Sequence, residues 1–346
     1  MSSKLLNEAL QRKNNQRPPV YFMRQAGRYH SHYQNLRKKH SFLELCKNPK
    51  LSAEVALGPV ADFGFDAAIL FSDLLFPLEA MGMGLTYSEG PELSFLLKTV
   101  HDVQILKDAD TAVANLLFQA EAIALLREKL SPEKAILGFV GGPITLFTYA
   151  TEGSHQGYLR EAKTGLADGR FSFFLQKLLP ILSENMSQQA QAGADVIAIF
   201  DTACGEFSYE DLRDFSLPAL KELLALFHGK NPGFPVLYYS RGVSYSYLQA
   251  LSELPFSALG VDWRMPMKEL LANLGGKLAL QGNFDPTLML LPPKMLEKKL
   301  RSYFWELSQE MTLLKGYICS LGHGVLPPTP EENVRLFLRV FQEYFL

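Results

Sequence analysis

The sequence predicts a closed (β/α)8 barrel of TIM type, one α/β domain spanning 1–346, with residues 1–16 as an N-terminal extension or short helix. Three observations predict it. Eight short apolar runs recur along the chain, each followed by helical material. The runs are continuously apolar rather than alternating, which marks strands buried on both faces and hence a parallel sheet. Nearly every run also ends in a polar residue with a glycine or proline nearby, and in such barrels chemistry gathers at the C-terminal ends of the strands.

The elements follow in order. Leu5, Leu6, Ala9 and Leu10 suggest a short helix within 2–16, and Val20-Tyr21-Phe22 opens the first strand, 20–23. Helical spacing runs over 42–63, with Pro59 expected to kink it. The second strand is 67–71. A long irregular section follows, holding Gly82, Gly84 and Gly90. A segment of that length is functional or folds into a small hairpin. An amphipathic helix covers 110–130, and the third strand is 136–140. A helix over 171–192, interrupted at Pro180, leads to the fourth strand, 196–200. Ser208 to Asp211 resembles a capping box and starts the next helix. Strands five to seven are 236–239, 258–261 and 278–281. A helix over 293–307, the eighth strand at 317–320 and a final helix over 331–344 complete the chain. The last begins at Thr329-Pro330-Glu331-Glu332, a cap with proline at the first helical position.

The bulk properties narrow the function. Nearly half of the 346 residues are apolar, enough for a large core, and the formal charge of −2 offers no bulk attraction for nucleic acid or membrane. An anionic ligand must therefore be held by locally placed cations. Cys46, Cys204 and Cys319 are far apart and form no Cys-x-x-Cys pair, which fits a reducing compartment. The N-terminus lacks the apolar core of a signal peptide, and no apolar run is expected to be long enough to span a bilayer. A cytoplasmic protein is the expectation.

The strand ends carry the functional signal. Arg24 and Arg28 straddle Gly27 where the first strand ends. Guanidinium groups are fixed cations whose planar forks match carboxylates or phosphates, and Gly27 is expected to supply an unusual turn. The other ends bring Ser72-Asp73, Gly141-Gly142-Pro143-Ile144-Thr145 followed by Tyr149, Asp201-Thr202, Ser240-Arg241, Asp262-Trp263, Asn283 with Asp285, and Gly322-His323-Gly324. Ser72, Asp201 and Asp285 read best as local helix caps. His323 between two glycines is a poor cap. Asp73, followed by Leu74, Leu75 and Phe76, sits in an apolar collar where a carboxylate needs a partner. Gly82-x-Gly84 and Gly275-Gly276-Lys277 lack dinucleotide and Walker spacing, and His30-x-His32 reads as solvated. No helical histidine pair points to zinc, so no metal and no cofactor are expected.

The motifs 24–29 (Arg-Gln-Ala-Gly-Arg-Tyr), 71–73, 281–286 and 321–324 closely resemble the uroporphyrinogen decarboxylase family of haem biosynthesis, in order and over essentially the whole chain. The resemblance implies a distorted barrel, a homodimer, and cofactor-free removal of carbon dioxide from the four acetate groups of uroporphyrinogen, giving coproporphyrinogen. It implies that Arg24, Gln25, Ala26, Gly27, Arg28, Arg37, Asp73, Tyr149, Thr202 and His323 contact the substrate. Asp73 would accept the pyrrole N–H groups and steady positive charge. Arg28, Tyr149 and His323 are the candidate proton donors, with water also open. The chain departs from the family at His30-Ser31-His32-Tyr33 (commonly Leu-Pro-Glu-Tyr), at Gly142 and Ile144 (commonly Ala and Trp) and at Ala203 (often Trp).

Two other readings compete. One is a zinc-dependent methyltransferase of corrinoid or methionine type on a related barrel, for which Cys319 and His323 share a strand end but lack a second cysteine. The other is a tetrapyrrole-binding protein without turnover, which the presence of Asp73 argues against.

Overall fold

In the computed structural model, which describes residues 4–14, 17–88 and 90–346, the strands are β1 (Ala67–Ile69), β2 (Thr86–Tyr87), β3 (Pro91–Glu92), β4 (Ala135–Gly141), β5 (Val196–Asp201), β6 (Val236–Ser240), β7 (Ala258–Gly260), β8 (Ala279–Phe284) and β9 (Tyr317–Leu321). The six runs predicted from 136 onward all form strands, with ends displaced by three residues at most. β2 and β3 pair antiparallel, so the long irregular section does hold a small hairpin. The predicted helix within 2–16 forms over Leu5–Leu10, and its outer predicted residues, 2–3 and 15–16, lie outside the described residues.

Two compact units divide the chain. The first comprises 1–71, 125–137 and 256–346. Within it β1 pairs with the start of β4, β7 with β8, and β8 with β9, all parallel. The predicted first strand contracts to one parallel bridge, Val20 to Cys319. Pro18 and Pro19 supply no N–H, and the Val20 N–H goes to the Asp66 carboxylate at 2.8 Å instead of a ladder. The segment is still laid between neighbours: Tyr21 N–H donates to Cys319 O at 3.2 Å, and Asp66 N–H to Val20 O at 2.9 Å. Arg17 clamps Asp66 with two bonds, 2.6 and 2.8 Å. An aromatic cluster fills the unit's core, with Phe337 of the final helix (Glu331–Phe345) 4.8 Å from Phe22 and 5.2 Å from Phe304, ring to ring.

The second unit comprises 72–124 and 138–255. β5 pairs with β6 in parallel, from Ile197 opposite Val236 to Asp201 opposite Ser240. The helix Arg170–Gln191 runs unbroken through Pro180, contrary to the expected interruption. Pro180 stands on the exposed face, where water can take the carbonyl that loses its bond, while Phe174, Leu178, Ile181 and Leu182 stay buried. The helix Pro49–Phe63 likewise continues through Pro59, which is buried. The stretch Ala109–Lys129 is long and apolar enough to cross a membrane by length and composition alone, against the reading that no run qualifies. Its Gln119 is buried in a polar chain: Asn185 donates to it at 2.8 Å, and it donates to Ser72 Oγ at 2.8 Å.

Candidate active site

The first unit presents the arginines. The chain turns sharply at Arg24, whose φ of 57° is left-handed. A non-glycine residue there is strained by about 1–3 kcal/mol, and such strain concentrates at functional positions. The expected unusual turn thus falls on Arg24 rather than on Gly27, whose φ is not positive. Gly27 matters for space, since a Cβ there would stand 3.1 Å from Arg24 O. Gln25, between them, is 2 % exposed. Its Oε1 accepts from Phe22 N–H at 3.2 Å and its Nε2 donates to Ala67 O at 2.8 Å, so its amide braces the turn from within the fold. Tyr29 closes the turn by donating to Gln25 O at 2.8 Å. Arg24 and Arg28 are left exposed, with Ala26 and Gly27 half-buried.

Arg37 ends the helix Ser31–Arg37, which the sequence reading missed. Tyr33 on the same helix is buried, and burial raises its phenol pKa against the opposing pull of Arg37 and, more weakly, Arg28. His30, read as solvated, is fully buried and pairs with Asp62 at 2.7 Å. His323 is half-buried on a turn pinned at both ends. Gly322 N–H donates to Phe284 O at 2.7 Å, and Val325 N–H to Met23 O at 2.9 Å. A Cβ on Gly324 would lie 2.4 Å from Arg24 Cδ, so the absent side chain is what lets Arg24 rest against the His323 turn. Asn283 serves the frame: its Nδ2 donates to Asp262 O and Met265 O at 2.9 and 2.7 Å. Asp285 is the expected cap, accepting from Thr287 N–H at 2.8 Å.

The second unit presents Asp73, Tyr149 and Thr202, all half-buried. Asp73 Oδ1 accepts the Leu75 N–H at 2.8 Å, which fixes the carboxylate's direction by a local turn rather than by a helix cap. Of the expected collar, Leu75 and Phe76 are buried and Leu74 is half-buried. Ser72 is not a cap either, because its hydroxyl accepts from Gln119. Tyr149 stands on the helix Pro143–Glu152, and its hydroxyl lies 2.6 Å from His155 Nδ1. Asp201 caps, but not its own following helix. It is 0 % exposed and accepts Thr145 N–H at 2.7 Å, in the first turn of the Tyr149-bearing helix. Tyr238 donates to its other oxygen at 3.2 Å. Burial raises the Asp201 pKa, and these bonds only partly offset it. Thr145 Oγ1 in turn accepts the Ala203 N–H at 3.0 Å, tying that helix to the backbone beside Thr202.

Cys319 is fully buried in β9, and burial pushes its thiol pKa up. Among the described residues no three His, Cys, Asp or Glu side chains converge. What sequence reasoning missed is His155, six residues after Tyr149 and past Gly153, and the reach of Asp201 across to another helix. Neither leaves a mark in local sequence.

Parallel strands, an exposed Arg24 on strained backbone, an exposed Arg28 and a directed Asp73 carboxylate describe an α/β protein that carries fixed cations and a fixed anion. The chain belongs to the uroporphyrinogen decarboxylase (URO-D) family, whose model matches residues 1–344. Curated relatives bear out that membership. The uroporphyrinogen decarboxylase of Anaeromyxobacter dehalogenans is 37% identical, covering 94% of each chain. That of Koribacter versatilis is 36% identical over 98% of this chain and 96% of its own. That of Chlorobium phaeovibrioides is 34% identical over 99% and 98%. Among solved structures, a methyltransferase from Methanosarcina mazei matches with TM-score 0.73 over 100% of both chains at 21% identity. A putative vitamin-B12-independent methionine synthase from Listeria monocytogenes matches with TM-score 0.58 over 95% and 99% at 13% identity. At those identities the two structures speak to fold alone, and the fold is the expected α/β type.

Proposed function

We propose that this chain removes carbon dioxide from the four acetate side chains of uroporphyrinogen III, leaving methyl groups and giving coproporphyrinogen III. The observation that carries the reading is the end-to-end family match, with relatives 33–37% identical along nearly their whole length.

The chemistry needs an electron sink, because an acetate that loses carbon dioxide would otherwise leave a carbanion. A proton added to the adjoining pyrrole ring makes that ring a cation. The bond to the carboxylate then breaks, its electron pair flows into the ring, and carbon dioxide leaves. A proton delivered to the exocyclic carbon completes the methyl group, and the ring gives back the first proton. Asp73 is the anion that steadies the cationic ring, a preorganised charge aimed where positive charge develops. Its direction is set before substrate arrives by the Leu75 N–H. Arg24, Arg28 and Arg37 hold substrate carboxylates, as an eight-carboxylate macrocycle requires on a chain of net charge −2. Tyr149, Thr202 and His323 contact the substrate, with Arg28, Tyr149, His323 or water supplying the proton. In this reading the chain is a cytoplasmic homodimer, a state light scattering would check.

Incubation of purified protein with uroporphyrinogen, followed by chromatographic separation by carboxylate number, tests the proposal. Four-carboxylate product supports it. Tight binding with no loss of carboxylates would leave only the carrier reading.

A further inference from the structure

The helix Pro143–Glu152 ends at Gly153 in a left-handed turn (φ 77°), and Gly157 (φ 89°) and Leu159 (φ 51°) bend the chain again before the next helix begins at Arg160. Between these bends the chain doubles back and sets His155 beside Tyr149. Nδ1 lies 2.6 Å from Tyr149 Oη, and the two rings meet edge to face with centroids 5.3 Å apart. That is a short hydrogen bond between a candidate acid and a group outside the residues assigned so far.

A phenol has one proton and two lone pairs. If Nδ1 accepted, the phenol's proton would be committed to the imidazole and Oη could only accept. A substrate rich in carboxylates offers acceptors, and a proton-delivering phenol must have its hydrogen free. Both needs are met when the imidazole donates. We propose that His155 is a positioning residue for the decarboxylation: its Nδ1–H donates to Tyr149 Oη and turns the phenol's own O–H toward the substrate. The inference rests on the decarboxylase reading and on Tyr149's part in it.

Two measurements test it, one without substrate. In free, 15N-histidine-labelled protein, the His155 imidazole shows a protonated Nδ1 and a bare Nε2; a bare Nδ1 overturns the assignment whether or not the protein turns over. With uroporphyrinogen, kcat and KM are compared for Tyr149→Phe, His155→Ala, His155→Asn, His155→Asp and the double variant Tyr149→Phe/His155→Ala. One ordinary hydrogen bond is worth about a factor of ten, so His155→Ala lowers kcat about tenfold while KM moves about twofold or less. His155→Asn, whose amide nitrogen stands as many bonds from Cα as Nδ1 does, recovers to within about threefold; His155→Asp, which can only accept, does not. On the Tyr149→Phe background, His155→Ala costs less than about twofold more, because the partner it served is gone. Equal damage on both backgrounds, or equal rescue by Asn and Asp, marks His155 as packing and overturns the proposal. Normal turnover in Tyr149→Phe does so too. Absence of turnover in the unaltered protein refutes the decarboxylase reading instead and leaves the spectroscopic result standing.

Discussion

Gly142→Ala installs the residue that the family pattern commonly carries, and the structure predicts that it is costly here. The new Cβ would stand 2.3 Å from both Cβ and Cγ of Asp201 and 2.7 Å from Oδ1. Carbon atoms sit comfortably at about 3.5–4.0 Å, so the overlap exceeds an ångström at two atoms near the Asp201 backbone. Asp201 has little freedom to move: it is fully buried and bound by Thr145 N–H and the Tyr238 hydroxyl. Overpacking of this kind costs about 1–3 kcal/mol, and breaking one of those buried bonds to relieve it costs about 1–3 kcal/mol more. A loss of roughly 2–6 kcal/mol in urea unfolding is therefore expected. Gly276→Ala is the control, since nothing lies within 4 Å of its Cβ position; it should stay within about 0.5 kcal/mol of the unaltered protein. If Gly142→Ala matched that control, the tight seat of Asp201 would be wrong. Because the same carboxylate holds the first turn of the Tyr149 helix, turnover should fall with stability.

Arg24→Ala should weaken substrate binding by about 2–5 kcal/mol, the range for truncating one partner of a desolvated charge pair. Gly324→Ala should displace Arg24 without removing it, raising KM and also costing stability, because the new Cβ would meet Arg24 Cδ at 2.4 Å, Cγ at 2.7 Å and Cβ at 3.0 Å; an unchanged KM in either variant would sever Arg24 from the site. Asp168 is a test of linkage. Its hydrogen bond to Arg170 holds its pKa below the ordinary 3.8. A depressed carboxyl stabilises the fold above its unfolded pKa, and that contribution disappears as pH falls through the folded value. Asp168→Asn should thus cost less than about 1 kcal/mol at neutral pH, the carboxylate being partly exposed and Arg170 also holding Glu161, with the gap closing as pH drops below 3.8. A gap independent of pH in urea titrations would refute the linkage.

The parts of the fold legible in sequence are those with strong local signals. β5, Val-Ile-Ala-Ile-Phe-Asp, is buried along nearly its whole length, and an unbroken apolar run announces that directly. The helix Pro143–Glu152 went unread for a related reason. Eight of its ten residues are buried, so no polar face sets a helical period against the apolar one. The helices Tyr245–Leu251 and Met267–Leu274 are about two turns each, too short for periodicity to show. The candidate residues at strand ends were legible as residue types, whereas their local geometry was not. Nothing local to Arg24 announces a left-handed backbone, which follows from Gln25 and Tyr29 bonding across the turn. Asp201 looked like a cap and is one, but for a helix more than fifty residues earlier in the chain, |i−j| being 56. Long-range pairing of that kind has no sequence period to reveal it.

A fixed negative charge at position 73 that lowers the barrier to carbon dioxide loss is the centre of the proposed mechanism. Turnover and equilibrium binding of uroporphyrinogen by Asp73→Asn measure it most directly, since the amide keeps the shape and can keep the bond from Leu75 N–H but carries no charge. Loss of one such electrostatic contact is worth about 10²–10³ in kcat. The expected result is a drop of that size, with binding weakened far less; near-normal kcat in the amide variant would contradict the account.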